Sequence, residues 1–112
     1  ALLPALVLSG IPSNQFVFEG FLPHKKGRQT RMEMLRNETR TMIFYESPFR
    51  LVKTLEQLAE VFGPERWASV SRELTKIHEE TRRGALQELA AYFGQHVPKG
   101  EIVIVVSGKM KE

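Results

Sequence analysis

Apolar positions along the chain gather in short runs separated by charged stretches, and their period changes from one run to the next. Phe16 to Leu22, Thr41 to Tyr45, Trp67 to Ser71 and the β-branched Ile102 to Val106 have the length and composition of strands. Helical patterns lie between them. In the strongest, Ser47 to Phe62, Leu51, Leu55, Leu58 and Phe62 recur at three- and four-residue steps, with Val52 and Ala59 beside them. Its ends are marked by Ser47 as a cap, Pro48 at the first helical position and Gly63-Pro64 as a stop. Leu86 to Phe93 places Leu86, Leu89, Ala90 and Phe93 on one side, and a weaker helix covers Arg28 to Arg36 with Met32 and Leu35. The charged segment Glu79 to Ala85 reads as an edge strand.

Strands alternating with helices predict one α/β domain over residues 1–112, a three-layer sandwich around a mixed, mostly parallel five-stranded sheet. The opening ALLPALVLSG reads as an apolar helix with no cap and no strand before it, as if the domain were cut from a larger protein.

Composition narrows the chemistry. No run approaches the roughly eighteen apolar residues of a membrane span, and the apolar start lacks a basic flank, so neither a span nor a secretory signal is expected. The chain has no cysteine, which removes disulfides, zinc-thiolate sites and thiol nucleophiles and suits the cytoplasm. All 13 acids are glutamates, so a Ser-His-Asp triad, an aspartic dyad and a Walker-B aspartate are excluded. His24, His78 and His96 are scattered rather than set at metal-ligand spacing, and no metal is expected. The net charge of +3 is uneven. From His24 to Arg40, Lys25, Lys26, Arg28, Arg31, Arg36 and Arg40 face Glu33 and Glu38, so 6 − 2 = +4, a segment on which a polyanion could dock.

Chemistry-bearing residues fall where strands end. Thr41 to Tyr45 runs into Glu46, Ser47, Pro48 and Arg50; Trp67 to Ser71 runs into Arg72, Glu73, Leu74, Thr75 and Lys76; the first strand runs into PHKKGR. Ligands of open α/β sheets collect at carboxyl ends of strands. From the residues alone, a plain helix start is the better account of the first junction, and a surface turn of mutually paired ions accounts equally for the second.

Taken together, EGFLP with the cations after it, FYESPFR (Phe44 to Arg50), RELTKIHEE (Arg72 to Glu80) and the closing GEIVIVVSG closely resemble the C-terminal half of the bacterial 16S ribosomal RNA ribose 2'-O-methyltransferase I family, within the tetrapyrrole methylase superfamily. The resemblance covers nearly the whole chain. It implies a two-domain, homodimeric enzyme without zinc that binds S-adenosyl-L-methionine between its domains and methylates a cytidine 2'-hydroxyl in the small-subunit RNA of the 30S particle. By that resemblance Phe44, Tyr45, Glu46, Leu74, Thr75, Gly100 and Glu101 line the C-terminal wall of the cofactor cleft. Glu46 and Glu73 are candidate proton acceptors there, and Lys76 is a candidate for steadying oxyanion charge. Lys25, Lys26, Arg28 and Arg31 are assigned to the RNA backbone, with Arg50 and Arg72 as phosphate contacts nearer the cleft. Phe49 stands where the family usually has histidine. Without the N-terminal domain, half the cleft is missing, and the 112 residues alone are expected to be inactive. The competing readings are a tetrapyrrole C-methyltransferase and a non-catalytic RNA-binding or dimerisation module; the cations of KKGR and RELTK favour RNA.

Overall fold

The computed structural model describes residues 5, 9–11, 14–73 and 80–110. In chain order its elements are β1 (Phe16–Phe21), α1 (Arg28–Met34), β2 (Thr41–Glu46), α2 (Leu51–Phe62), β3 (Trp67–Glu73), β4 (Glu80–Ala85), α3 (Leu86–Gln95) and β5 (Glu101–Val106). The five strands form one mixed sheet in the order β1-β2-β5-β3-β4. The charged segment is an edge strand, as its composition predicts.

The sheet is not mostly parallel. Only β1 and β2 pair in parallel; β5 is antiparallel to both β2 and β3, and β3 is antiparallel to β4. The physical reason lies in the order of insertion. Strands joined by a helix do run the same way: β1 with β2, β2 with β3, and β4 with β5. The chain reverses once, between β3 and β4, and β5 then returns into the gap between β2 and β3. Each crossover is thus parallel within itself, while interleaving makes the hydrogen-bonded neighbours antiparallel.

Reversal also explains why the helices share a face. Turning a β-helix-β unit half a revolution about the sheet normal reverses strand direction and travel together and preserves its hand, so α3 falls on the same side as α1 and α2. Met32 of α1, Leu55 and Leu58 of α2, and Leu86 and Leu89 of α3 meet Phe44, Val70, Ile102 and Ile104 in one core. Each of these large side chains contributes on the order of 1.5–3 kcal/mol by leaving water. Across the sheet, Ala5 and Ile11 pack on Ile43, Val103 and Val105, and the Ser9 N–H donates to the Ala5 carbonyl at 3.0 Å, as in a helical turn. Among the described residues these supply the third layer.

The α2 helix begins later than its sequence suggests. Ser47 to Arg50 instead form a turn closed by the Arg50 N–H on the Ser47 carbonyl (3.1 Å), and no side chain caps the helix. Phe49 is consequently 94% exposed.

After β5 the chain passes tightly over the β2 entry, with the Lys109 N–H donating to the Glu38 carbonyl at 2.7 Å. A Cβ on Gly108 would fall on the Thr39 carbonyl. Gly108→Ala is therefore expected to cost about 1–3 kcal/mol in urea unfolding. Gly94→Ala in α3, where a Cβ meets nothing within 4 Å, is expected to be neutral or to stabilise by up to about 1 kcal/mol.

Candidate functional site at the sheet rim

Register brings one set of strand ends to a common edge. Phe21 pairs with Tyr45, Glu46 with Ile102, Ile102 with Arg72, Glu101 with Glu73, and Arg72 with Glu80. The carboxyl ends of β1, β2 and β3 and the amino ends of β4 and β5 thus form a single rim. Tyr45, Glu46, Gly100 and Glu101 meet there. Leu74, Thr75 and Lys76 lie outside the described residues, as does the side chain of Glu73.

Strand alternation sorts the β2 residues between two faces. The Phe44 ring points to the helices and is 1% exposed, so its side chain is core, and only its main chain is near the rim. The resemblance places Phe44 at the cofactor; strand alternation turns its ring to the helices and leaves its main chain near the rim. Tyr45 points the other way and packs edge-to-face with Phe18 and Phe21, at ring separations of 5.2 and 5.5 Å. Gly100 enters β5 with φ 89°, a backbone state that other residues adopt only under strain, and Glu101 beside it is exposed.

Glu46 turns back under α2 and is 7% exposed. One carboxylate oxygen accepts the Ser47 N–H at 2.8 Å, and the other accepts the Thr54 hydroxyl at 2.6 Å. Thr54 Oγ1 in turn accepts Arg28 Nη2 at 2.7 Å. The remaining Arg28 bonds run from Nε to Gln57 Oε1 (2.8 Å) and from Nη1 to the Pro23 carbonyl (3.1 Å). A chain from Glu46 through Thr54 to Arg28 therefore ties together the end of β2, the first turns of α2 and the loop after β1. Each Glu46 oxygen accepts one internal hydrogen bond, which makes this carboxylate an anchor of the rim.

The basic segment divides in the same way. Arg31 is paired with Glu19, whose side chain is 6% exposed, Arg36 with Glu33, and Arg40 with Glu38. Hydrogen bonds from Arg40 hold the Glu38 carboxyl down to about 2, so this pair is fully ionised at neutral pH. With Glu19 counted, the excess across the segment falls from +4 to +3. Arg28 and Arg31 thus have internal partners, whereas Lys25, Lys26 and Arg50 are exposed to solvent, as is Lys99 beside Gly100. Arg72 donates to Glu80 at 2.8 Å across the β3–β4 pair, and its Nε is buried with no partner among the described residues.

Thr54, Gln57 and Glu19 are the residues that pattern reading misses. A three-residue helical spacing joins Thr54 and Gln57, and Glu19 is a lone acid within an aromatic strand; both signals are legible only once the cation each one meets is known. No three His, Cys, Asp or Glu side chains are placed to hold a metal among the described residues, and no helix there is long and apolar enough to cross a membrane.

No family model matches the chain. A ribosomal RNA small subunit methyltransferase I of Synechocystis is 48% identical over 113 residues, which span all of this chain and 40% of that protein. The protein of the same name from Thermotoga maritima is 43% identical over 109 residues, 97% of this chain and 49% of its own length. The chain therefore spans half or less of these relatives. Among solved structures, the methyltransferase CobJ superposes over the whole chain and 50% of its own, with a TM-score of 0.69 at 19% identity. A uroporphyrin-III C-methyl transferase from Thermus thermophilus complexed with S-adenosylhomocysteine superposes over 92% of the chain and 48% of its own, with a TM-score of 0.61 at 15% identity. At such identities these likenesses show a shared fold.

Proposed function

The chain belongs to the ribosomal RNA small subunit methyltransferase I family, as a portion of its members, and on that premise we propose that it is the C-terminal domain of an S-adenosylmethionine-dependent RNA methyltransferase. The single observation that carries the reading is the gathering of Tyr45, Glu46, Gly100 and Glu101 on one rim. That rim fits one wall of a cofactor cleft. It offers an aromatic ring, main chain without a side chain at Gly100, and the exposed Glu101 carboxylate, which suits the hydroxyls and positive charge of the cofactor. The protein's own N-terminal domain supplies the other wall, and the enzyme works in the cytoplasm as a homodimer.

When bound, S-adenosylmethionine supplies a methyl group on a sulfonium leaving group. The residues of this chain orient and restrain. Glu46 fixes the β2–α2 turn through Ser47 and Thr54, so that the wall keeps its shape as substrate enters. Lys25, Lys26 and Arg50 meet phosphates of the RNA, while Arg28 and Arg31 shape the loop that presents the lysines. Glu46 and Glu73 are the candidates on this chain for drawing the proton from a ribose hydroxyl, Glu46 being also tied to Ser47 and Thr54, and Lys76 is the candidate for steadying the charge that develops.

The test uses the complete protein, labelled S-adenosylmethionine and small subunits lacking the modification. Label on the 2'-oxygen of a cytidine in 16S RNA is expected; label on a base, or none on RNA, overturns the reading. Changing Lys25 and Lys26 together to alanine should flatten the salt dependence of RNA affinity by about 0.7 of a logarithmic slope unit for each phosphate no longer neutralised. An unchanged slope removes the lysines from the interface.

A further inference from the structure

Away from the Lys25–Lys26 loop, a groove of about 930 Å³ runs between the C-terminal half of α3 and the β3–β4 edge of the sheet. Val70, Phe93 and Pro98 give it an apolar floor, and Arg72, Arg82 and His96 give it a polar margin. Above the floor is a three-layer stack. The Arg82 guanidinium carbon lies 3.5 Å from the Tyr92 ring centre, and the His96 ring lies 4.2 Å from the same centre, inclined by 10°. Two groups so close to one ring centre occupy opposite faces of it.

Stacking leaves specific groups unused. Arg82 is exposed, and among the described residues neither a carboxylate nor any other acceptor engages its guanidinium, so a flat fork of N–H donors is held in place with its edge open. Arg83, the next residue, points to the opposite face of the sheet, toward Gly10. His96 is exposed, with Nδ1 on the Tyr92 carbonyl at 3.0 Å and one ring face on Tyr92. Among the described residues no second aromatic ring stacks on His96, and we take its remaining face as the one the groove offers. Arg72 is partly neutralised by Glu80, so Arg82 is the cation most available in the groove.

A fixed guanidinium fork matches a phosphodiester, and an open aromatic face one stack away matches a base. We propose that this groove binds a nucleotide segment of single-stranded RNA, with a phosphate on Arg82 and a neighbouring base on His96. A duplex is disfavoured, since its stacked bases cannot turn a face to the histidine. The inference rests on the reading of this protein as an RNA methyltransferase, and it adds a docking site that adjoins the rim at Arg72 and Glu80.

The test titrates a fluorescent single-stranded RNA against the complete protein, wild type and with Arg82→Gln or His96→Ala, both exposed positions whose loss leaves the core intact. His96→Ala should weaken binding roughly 5- to 150-fold, the worth of one base–aromatic stack. Arg82→Gln should lower the salt slope by about 0.7. An abasic RNA of the same length should bind the wild type as weakly as normal RNA binds His96→Ala. Unchanged affinity in both variants, or equal binding of abasic and normal RNA, overturns the proposal. Methyl transfer to small subunits is assayed in parallel. If the wild type methylates RNA while the variants bind normally, the groove falls and the methyltransferase stands; weakened binding without any methylation gives the reverse.

Discussion

Replacing Glu46 with alanine in the complete protein is expected to lower the unfolding free energy by about 3 kcal/mol and to abolish cofactor binding. Two hydrogen bonds to a buried charged acceptor are lost, each worth about 1.5–3 kcal/mol, with part of the cost relieved as water enters. The Ser47 N–H and the Thr54 hydroxyl both lose their acceptor, and Arg28 is left bound to an unanchored Thr54. Glu46→Gln separates anchor from base. Glutamine keeps the volume but has one accepting oxygen, so an anchor loses about half the stability, with activity falling in step with folding and cofactor affinity. If Glu46 were the general base, glutamine would leave folding and cofactor affinity nearly intact while kcat fell by about 10²–10⁴-fold. Urea unfolding, cofactor titration and single-turnover methyl transfer on the same variant distinguish the two.

The second large effect belongs to the inserted strand. Ile104 is fully buried in β5, facing Phe44 on one side and Val70 on the other through the paired registers. Ile104→Ala should cost about 2–5 kcal/mol, and Ile104→Val about 0.5–1.5. Against the 5–15 kcal/mol typical of a whole domain, the alanine change removes a large share. Phe49→Ala, at a site 94% exposed, should stay within about 0.5 kcal/mol. Urea midpoints in the same background check all three, and a Phe49 effect equal to that of Ile104 would mean the described core is wrong.

Much of this architecture is legible from local pattern. The β-branched IVIVV and the Leu51–Phe62 periodicity each have one physical solution, a buried strand and an amphipathic helix, and both are found. Charges on Glu80 to Ala85 mark an edge because a central strand has no place for them. Neighbour direction is not legible, because hydrogen-bond partners depend on where β5 inserts, and that choice is made by packing some sixty residues away from β2. The candidate site divides similarly. That Tyr45 and Gly100 share a rim is implied by the resemblance alone: it requires β5 to run antiparallel to β2, and in a mostly parallel sheet the amino end of β5 would lie at the opposite edge. That Glu46 is an anchor, and that Arg28 and Arg31 are internally engaged, depends on Thr54 and Gln57, which carry no signal of their own, and on Glu19, which stands in the EGFLP segment without its partner being evident there. Charge counting treats all cations of the basic segment alike; burial and pairing leave the lysines to face a polyanion.

The most direct measurement is the structure of the complete protein with S-adenosylhomocysteine bound. The adenosyl group should lie against Tyr45 and the Gly100–Glu101 main chain, closed over by a second domain. A cofactor seated entirely within the other domain, touching neither Tyr45 nor Gly100, would contradict the reading of this rim as the cofactor wall.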